Sequence, residues 1–239
     1  MAQRLAKRAE LDVEVSLAGR TRSPTPQGAR LRSGGFGGVS GLADYLVTNR
    51  IEALIDATHP YADVISANAA AAARQTAVPL VALRRGPWRA VDGDRWQEVE
   101  DVGAAVRALA DRPRRILITL GRSELGALTE APQHFYLIRS IDPVEPPLPL
   151  PRAAFVTARG PFGEADDRAL MQRHEIDTVI AKNSGGAASY GKIAAARALG
   201  VEVIMLRRPP LADAPAVETV EAAIAWLDHA LTSAVVRGV

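Results

Sequence analysis

The stretch TVIAKNSGG at residues 178–186, followed by the helical pattern of residues 187–199, decides the fold prediction for this chain. Its first four residues form a continuously apolar run, which is typical of a strand covered on both faces of a parallel sheet. A lysine, a polar pair and two glycines then lead into a helix. Because the N–H groups and the positive dipole end of a helix face outward at its N-terminus, this arrangement predicts anion binding. A solvated turn with no ligand is the competing interpretation of the segment taken alone.

Lysine is rare in this sequence, which makes the lysine of this stretch more informative. The chain has three lysines against 26 arginines, and Lys182 and Lys192 lie ten residues apart. An ammonium group is compact, has three donors and responds to burial in a way that a guanidinium does not. We therefore predict that both lysines contribute to an anion-binding site.

Strands and helices alternate along the rest of the chain. The predicted strands are residues 13–17, 53–56, 80–83, 116–120, 135–139, 154–157, 178–181 and 203–206. The predicted helices are residues 1–10, 41–49, 62–76, 102–111, 162–174, 187–199 and 217–231. This alternation predicts an α/β fold with open parallel sheets. The segment Arg112-Pro113-Arg114-Arg115 ends one helix and begins a new strand, which predicts a division into residues 1–112 and 113–239.

Composition excludes several classes of function. A formal charge of +2 with dispersed arginines argues against nucleic-acid binding. The chain has no cysteine, and its four histidines show no metal-ligand spacing, so no metal site is expected. No apolar run reaches the roughly 18 residues of a membrane span. We expect a cytoplasmic protein with a small-molecule ligand.

Ligands of open parallel sheets bind beyond the carboxyl ends of the strands. The first predicted strand ends in Ser16, Gly19 and Arg20 with no acidic residue, a pattern that favours NADP(H) over NAD(H) if a dinucleotide binds here. The glycine-rich loop at residues 34–38 surrounds Phe36 and permits close backbone approach to a ligand. Ordinary surface turns are the alternative interpretation of both segments.

The strand at residues 53–56 leads directly into Asp56-Ala57-Thr58-His59-Pro60-Tyr61. This segment places a carboxylate, a hydroxyl, an imidazole and a phenol at one strand end, and Pro60 sets the first turn of the next helix. Such a concentration of polar groups favours a functional site over simple helix capping.

Basic residues follow the strands of the second half. They lie at strand ends or at the starts of the following helices: Arg122, Arg139, Arg159, Lys182 and Lys192. A ligand bound by this set would carry several negative charges, because bidentate Arg–carboxylate contacts orient polyanions.

These motifs, in this order, resemble the precorrin-6A reductase family of cobalamin (vitamin B12) biosynthesis. The matching segments are SLAGR at 16–20, GGFGG at 34–38, DATHPYA at 56–62, RGPF at 159–162 and KNSGG at 182–186, and a tail pattern from Lys192 to Pro209 also matches. The resemblance implies NADPH-dependent reduction of one double bond of precorrin-6A to precorrin-6B. A related branch of the family acts on the cobalt-containing analogue. It also implies two Rossmann-like domains with an interdomain cleft, a cofactor domain at residues 1–112 and a substrate domain at 113–239.

The resemblance also implies roles for individual residues. The candidate proton donors are His59, Tyr61 and Lys182, with water as the alternative. The implied cofactor-binding residues are Ser16, Gly19, Arg20, Gly35, Phe36, Gly37, Asp56, Ala57 and Thr58. The residues implied to bind a polycarboxylate macrocycle are Arg139, Arg159, Lys182, Asn183, Ser184, Gly185, Gly186 and Lys192. A monomer and a homo-oligomer are both compatible with these roles.

The sequence departs from the family pattern at its start. Family members begin with a strand and a glycine turn of the kind Leu-Gly-Gly-Thr, whereas this sequence opens within the helix expected after that turn. We therefore expect the first strand of the cofactor domain to be missing from the chain as given. A two-domain α/β binding or regulatory module for an anionic small molecule is the alternative to the reductase.

Overall fold

The computed structural model describes residues 1–19 and 25–237, with side chains as far as residue 232. The chain forms two compact units. Unit 1 consists of Met1–Arg85 together with Pro209–Val239, and unit 2 consists of Gly86–Arg208.

Unit 1 has two small parallel sheets. Strands β1 (Glu14–Leu17) and β2 (Arg30–Ser33) form one sheet, and β3 (Leu54–Asp56), β4 (Leu80–Leu83) and β11 (Ala216–Val217) form the other in the order β11-β4-β3. Its helices are α1 (Ala2–Leu5), α2 (Gly38–Thr48), α3 (Asp63–Thr76) and α7 (Val220–Arg237). Within the described residues, no hydrogen-bonded ladder joins the two sheets.

The core of unit 1 lies between α2 and α3. Leu42 and Leu46 of α2 pack against a row of alanines in α3 that includes Ala72, and Leu80 of β4 completes the cluster. Alanine has no bulky side chain, so it permits the two helices to approach closely while their apolar faces leave water.

Unit 2 has a six-stranded sheet in which every neighbouring pair is parallel. In sheet order its strands are β5 (Trp96–Val99), β10 (Glu202–Leu206), β9 (Thr178–Lys182), β6 (Arg115–Ile118), β7 (Phe135–Ser140) and β8 (Ala153–Thr157). Helices α4 (Val102–Ala108), α5 (Glu164–Arg173) and α6 (Gly191–Leu199) and a 3₁₀ segment (Arg122–Glu130) connect them. The central strands consist mainly of apolar residues whose side chains are buried on both faces of the sheet.

The predicted α/β class with parallel sheets is confirmed, and all eight predicted strands are present. The prediction missed β2, β5 and β11. Strand β2 is mostly exposed, β5 carries polar residues at its centre, and β11 has only two residues, so none of them shows an apolar run. Several helices are shorter than predicted. The one at residues 1–10 spans only Ala2–Leu5, α6 begins at Gly191 rather than at residue 187, and α4 ends at Ala108 rather than at residue 111.

The division between units differs from the one predicted near residue 112. Strand β5 and helix α4 precede that point, yet β5 pairs with β10 along Val203–Leu206 and so belongs to the sheet of unit 2. The C-terminal segment from Pro209 returns to unit 1, where β11 pairs with β4. Neither pairing is visible in local sequence, because each joins segments about 100 residues apart or more.

Gly191 allows the start of α6 to lie against the start of α5. A Cβ atom at this position would lie 2.6 Å from the Phe162 carbonyl oxygen and 2.8 Å from the carbonyl carbon of Gly163. We expect Gly191→Ala to lower the free energy of unfolding by about 1–3 kcal/mol, the usual cost of overpacking, despite the better helix propensity of alanine. Urea denaturation measures the change. Gly126→Ala, where an added Cβ meets nothing within 4 Å, is the matched control and is expected to be neutral; equal midpoints for the two variants would contradict the prediction.

Candidate functional site

The turns after β1 and β2 lie together in unit 1. The Gly34 N–H donates to the Leu17 carbonyl oxygen at 2.8 Å, and a Cβ added to Gly19 would lie 3.3 Å from Ser33 Oγ. Gly19 has a φ of +74°, a conformation that glycine adopts at little cost. The predicted cofactor residues Ser16, Gly19 and Gly35 are therefore brought to one edge of the β1–β2 sheet.

Arg32, which no predicted motif includes, organises these turns. Its Nη1 donates to the Gly34 carbonyl oxygen at 2.7 Å and to Ser16 Oγ at 3.4 Å, and its Nη2 donates to the Gly35 carbonyl oxygen at 2.8 Å. Its guanidinium carbon lies 3.9 Å from the ring centre of Phe36, a cation–π distance. The arginine thus fixes the polar end of the sheet.

The glycine-rich loop continues from this arginine into α2. Gly37 and Gly38 both have positive φ angles, and an added Cβ on either would meet nothing within 4 Å, so the backbone here is open to a ligand. The predicted residue Phe36 packs on Tyr45 of α2 at a ring-centre distance of 5.0 Å. Arg20, the predicted partner of a 2′-phosphate, lies outside the described residues.

Asp56 is buried at the end of β3 and is held by hydrogen bonds. Its Oδ1 accepts the Thr58 N–H at 3.0 Å, and its Oδ2 accepts the hydroxyl of Ser66 at 2.6 Å. Thr58 Oγ1 lies 3.0 Å from the same Ser66 Oγ. The carboxylate thereby fixes the turn that carries Ala57, Thr58 and His59, and Ala57 itself is exposed. Ser66 was missed because it lies ten residues further along, inside α3.

His59 and Tyr61 lie beside each other after this turn. Their rings are 5.6 Å apart, and His59 Nδ1 accepts the Tyr61 N–H at 3.3 Å. With Nδ1 as the acceptor, a neutral His59 carries its proton on Nε2. The predicted grouping of these two candidate proton donors is therefore present.

Lys182 is paired with a glutamate at the carboxyl edge of the unit 2 sheet. Its Nζ lies 2.6 Å from Glu124 Oε2, and the same oxygen accepts the Gly121 N–H at 3.1 Å. The Lys182 side chain is 18% exposed and the Glu124 side chain 26%. The pair joins the ends of two neighbouring strands, since β6 pairs with β9. Glu124 was not among the predicted site residues. The sequence feature that could have indicated it is its position three residues after Gly121, the glycine that follows a predicted strand.

The turn after Lys182 is fixed by Trp88. Asn183 Oδ1 accepts the Trp88 backbone N–H at 2.8 Å, and Asn183 Nδ2 donates to the Trp88 carbonyl oxygen at 2.9 Å. The Trp88 indole N–H also donates to the Gly186 carbonyl oxygen at 2.8 Å. Asn183 is 6% exposed, so its amide acts mainly as a brace for the turn. Trp88 is 95 residues away in sequence, and no local pattern predicts its role.

Gly185 is required by the same turn. It has a φ of +67°, and a Cβ there would collide with the carbonyl oxygen of Gly86 and the guanidinium of Arg208. Arg208 in turn donates to the Asn183 carbonyl oxygen at 2.7 Å. The predicted residues Asn183, Gly185 and Gly186 thus form one rigid turn, and Ser184 lies within it, half-buried.

Arg139 and Lys192 are brought together, but both are buried. Arg139 forms a buried ion pair with Asp167 of α5 and stacks on Phe162 at 3.9 Å. The Lys192 Nζ donates to the Ser189 carbonyl oxygen at 2.7 Å and lies 5.0 Å from the centre of a Trp88 ring. Burial lowers the pKa of Lys192 from 10.5 to about 8, helped by the charge of Arg139 and opposed by that of Asp167. Lys192 therefore lies beneath Trp88, whereas Arg159, after β8, is exposed.

The described parts of the chain contain no group of three or more metal-binding side chains able to hold a metal ion. No helix within them is long and apolar enough to cross a membrane.

A family model described as precorrin-6x reductase CbiJ/CobK matches residues 1–228 of this sequence. The chain belongs to this family. A precorrin-6A reductase from a Sinorhizobium species is 51% identical over 234 residues, which cover 98% of this chain and 90% of that protein. One from Rhodobacter capsulatus is 47% identical, with 97% and 94% covered. A solved structure described as CobK precorrin-6A reductase matches with a TM-score of 0.92 and 46% identity, covering 96% of this chain and 91% of that one.

These similarities confirm the family and the enzyme class predicted from the motifs. The protein is an oxidoreductase of the precorrin-6A reductase type, which acts in cobalamin biosynthesis. The alternative of a non-catalytic binding or regulatory module is set aside by this result.

The buried ammonium of Lys192 predicts a pH dependence of stability. Its pKa is about 8 in the folded chain against 10.5 in the reference state, so the unfolded chain binds more protons between these values. The free energy of unfolding therefore rises with pH in this window, by about 3 kcal/mol from this group if the whole shift is realised. Lys192→Met removes the titrating group, so the variant lacks this rise. We expect the free energy of unfolding of the variant minus that of the parent to fall by about 3 kcal/mol between pH 7.5 and 10.5.

Urea denaturation at a series of pH values measures this difference. Lys7→Met, which removes an ammonium from an exposed position, is the control for loss of one charge. Parallel stability curves for parent and Lys192→Met across this range would contradict the prediction.

Proposed function

We propose that the protein reduces one double bond of precorrin-6A to give precorrin-6B, with NADPH as the reductant, in the cytoplasm. Unit 1 binds the dinucleotide and unit 2 binds the carboxylate arms of the macrocycle. The observation that carries the proposal is the rigid turn after β9, which holds the Lys182 ammonium at the carboxyl edge of a parallel sheet. Ligands of such sheets bind at this edge.

The residues of unit 1 fit a phosphorylated dinucleotide. The Ser16 hydroxyl and the Arg32 guanidinium lie at the ends of β1 and β2. The loop after β2 contains three glycines at which an added Cβ atom would meet nothing within 4 Å: Gly35, Gly37 and Gly38. Such open backbone at the start of a helix suits an anionic group. When bound, NADPH supplies the hydride, and the task of the chain is to position the reactants and stabilise charge.

The residues of unit 2 fit a substrate with several carboxylates. Lys182 and the exposed Arg159 supply positive charge at the ends of β9 and β8. In the turn after β9, the N–H groups of Asn183 and Ser184 donate to backbone carbonyl oxygens, so Gly185 and Gly186 are the residues whose N–H groups would bind a carboxylate. Arg139 and Lys192 support this edge from beneath through Phe162 and Trp88. The names of the relatives at 47–51% identity favour the metal-free macrocycle over its cobalt-containing analogue.

A proton must reach the carbon next to the hydride acceptor. Lys182, His59 and Tyr61 are the candidates in this chain. Lys182 is a strong candidate because Glu124 and the braced turn hold its ammonium in one place. His59 has its Nδ1 engaged by the Tyr61 N–H, so its Nε2 is the nitrogen that would carry a transferable proton.

The cofactor proposal predicts a preference for NADPH over NADH in kcat/KM. We expect Arg20→Ala to erode this preference by about 10- to 100-fold, because hydrogen bonds to a charged phosphate contribute about 1.5–3 kcal/mol. Steady-state consumption of each cofactor with precorrin-6A, followed at the absorbance of the reduced nicotinamide, measures the ratio. Equal use of both cofactors by the parent protein would contradict the assignment.

Lys182→Met keeps most of the aliphatic stem and removes the ammonium. We expect kcat/KM to fall by about 10- to 100-fold, the worth of a charge-assisted hydrogen bond. A fall expressed in KM identifies an anchor for a substrate carboxylate, and a fall expressed in kcat identifies proton transfer or stabilisation of developing charge. In Lys182→Met alone, the Glu124 carboxylate loses its ion-pair partner. The double variant Lys182→Met/Glu124→Gln removes that carboxylate as well, so it separates the loss of the ammonium from an effect on folding. Values within twofold of the parent for both parameters would remove Lys182 from the site.

A further inference from the structure

The Arg32 guanidinium is a fixed cation with unused donors. Its three hydrogen bonds, to Gly34 O, Gly35 O and Ser16 Oγ, occupy three of the five N–H groups of a guanidinium. The two that remain, on Nε and Nη2, have no acceptor among the described residues. They belong to adjacent atoms of a planar fork, which matches two oxygens of one phosphate or carboxylate.

The charge of Arg32 is not balanced by a carboxylate in the described part of the chain. Arg30, two residues earlier on the same strand, differs in this respect, because its Nε lies 2.8 Å from Glu14 Oε2. Backbone carbonyl oxygens and the Phe36 ring stabilise Arg32 only in part. A half-buried cation without a counter-ion is unfavourable by itself, and an anionic ligand removes this cost.

Ser16 lies next to this cation. A serine hydroxyl donates one hydrogen bond and accepts others, so Ser16 Oγ can accept from Arg32 and donate to a ligand oxygen at the same time. Both groups lie at the carboxyl end of the β1–β2 sheet, where a dinucleotide-binding fold meets the adenosine ribose.

We infer that Arg32 is a specificity-determining residue that binds the 2′-phosphate of the adenosine half of NADPH, with Ser16 as the second donor. This inference rests on the proposed use of NADPH. The opposing possibility is that Arg32 only shapes the glycine-rich loop through the two carbonyl oxygens that it binds.

Binding of adenosine fragments tests the inference without turnover. Isothermal titration calorimetry compares adenosine 2′,5′-bisphosphate with 5′-AMP, which lacks only the 2′-phosphate. The parent is expected to bind the bisphosphate about 10- to 100-fold more tightly, the ratio that corresponds to hydrogen bonds with a charged group. Arg32→Gln is expected to remove most of this ratio while the affinity for 5′-AMP stays within about threefold.

Arg30→Gln is the matched control, since it removes the same charge from the same strand and is expected to keep the ratio. If Arg32→Gln weakens both ligands equally, Arg32 only shapes the loop and the inference is overturned, while the use of NADPH stands. If the parent itself binds both ligands equally, the NADPH proposal and the inference both fail. Should Arg32→Gln not fold, Arg32→Lys keeps the charge without the fork and is expected to retain only part of the ratio; an unchanged ratio in that variant would count against the inference.

Discussion

The parallel pairing of β9 with β6 on one side and β10 on the other is the interaction on which unit 2 depends. Val179 and Ile180 of β9 are fully buried, so the strand is fixed by apolar packing as well as by its two ladders. Because the three strands run in the same direction, their carboxyl ends meet at one edge. That edge brings together Glu124, Lys182 and Arg208, which are distant in sequence. Glu124, which follows β6, pairs with Lys182, and Arg208, which follows β10, donates to the Asn183 carbonyl oxygen, so both neighbouring strands hold the turn after β9.

The two lysines of this region show how burial separates roles that residue type alone cannot. Lys182 remains partly exposed and pairs with a carboxylate, so its ammonium stays at the edge where a ligand binds. Lys192 is 4% exposed, and its charge is held by a carbonyl oxygen and an aromatic ring. The sequence alone predicts substrate binding for both. The structure assigns Lys192 a position beneath Trp88, from which it supports the turn.

The sequence was most informative where apolar runs and glycine turns coincide. The eight predicted strands are buried or end in recognisable motifs. The predicted site residues follow strands, and a parallel sheet brings such residues to its carboxyl edge. Partners joined only by the tertiary fold were not predictable. Trp88 reaches Asn183 across 95 residues and Ser66 reaches Asp56 from within a helix, and neither contact leaves a periodic pattern. The polar strand β5 was missed for a related reason, since its identity depends on pairing with β10 rather than on its own residues.

The cations at the candidate sites of the two units differ in whether a carboxylate already neutralises them, and this difference bears on what each site can bind. In unit 2, Lys182 and Arg139 each already have a carboxylate partner. A substrate carboxylate that binds Lys182 must share or replace Glu124, which offsets part of the interaction, so high affinity has to come from several carboxylates acting together. In unit 1, Arg32 has no such partner among the described residues, and a single phosphate gains the full interaction. A macrocycle with many arms and a cofactor marked by one extra phosphate are the ligands that these two arrangements suit.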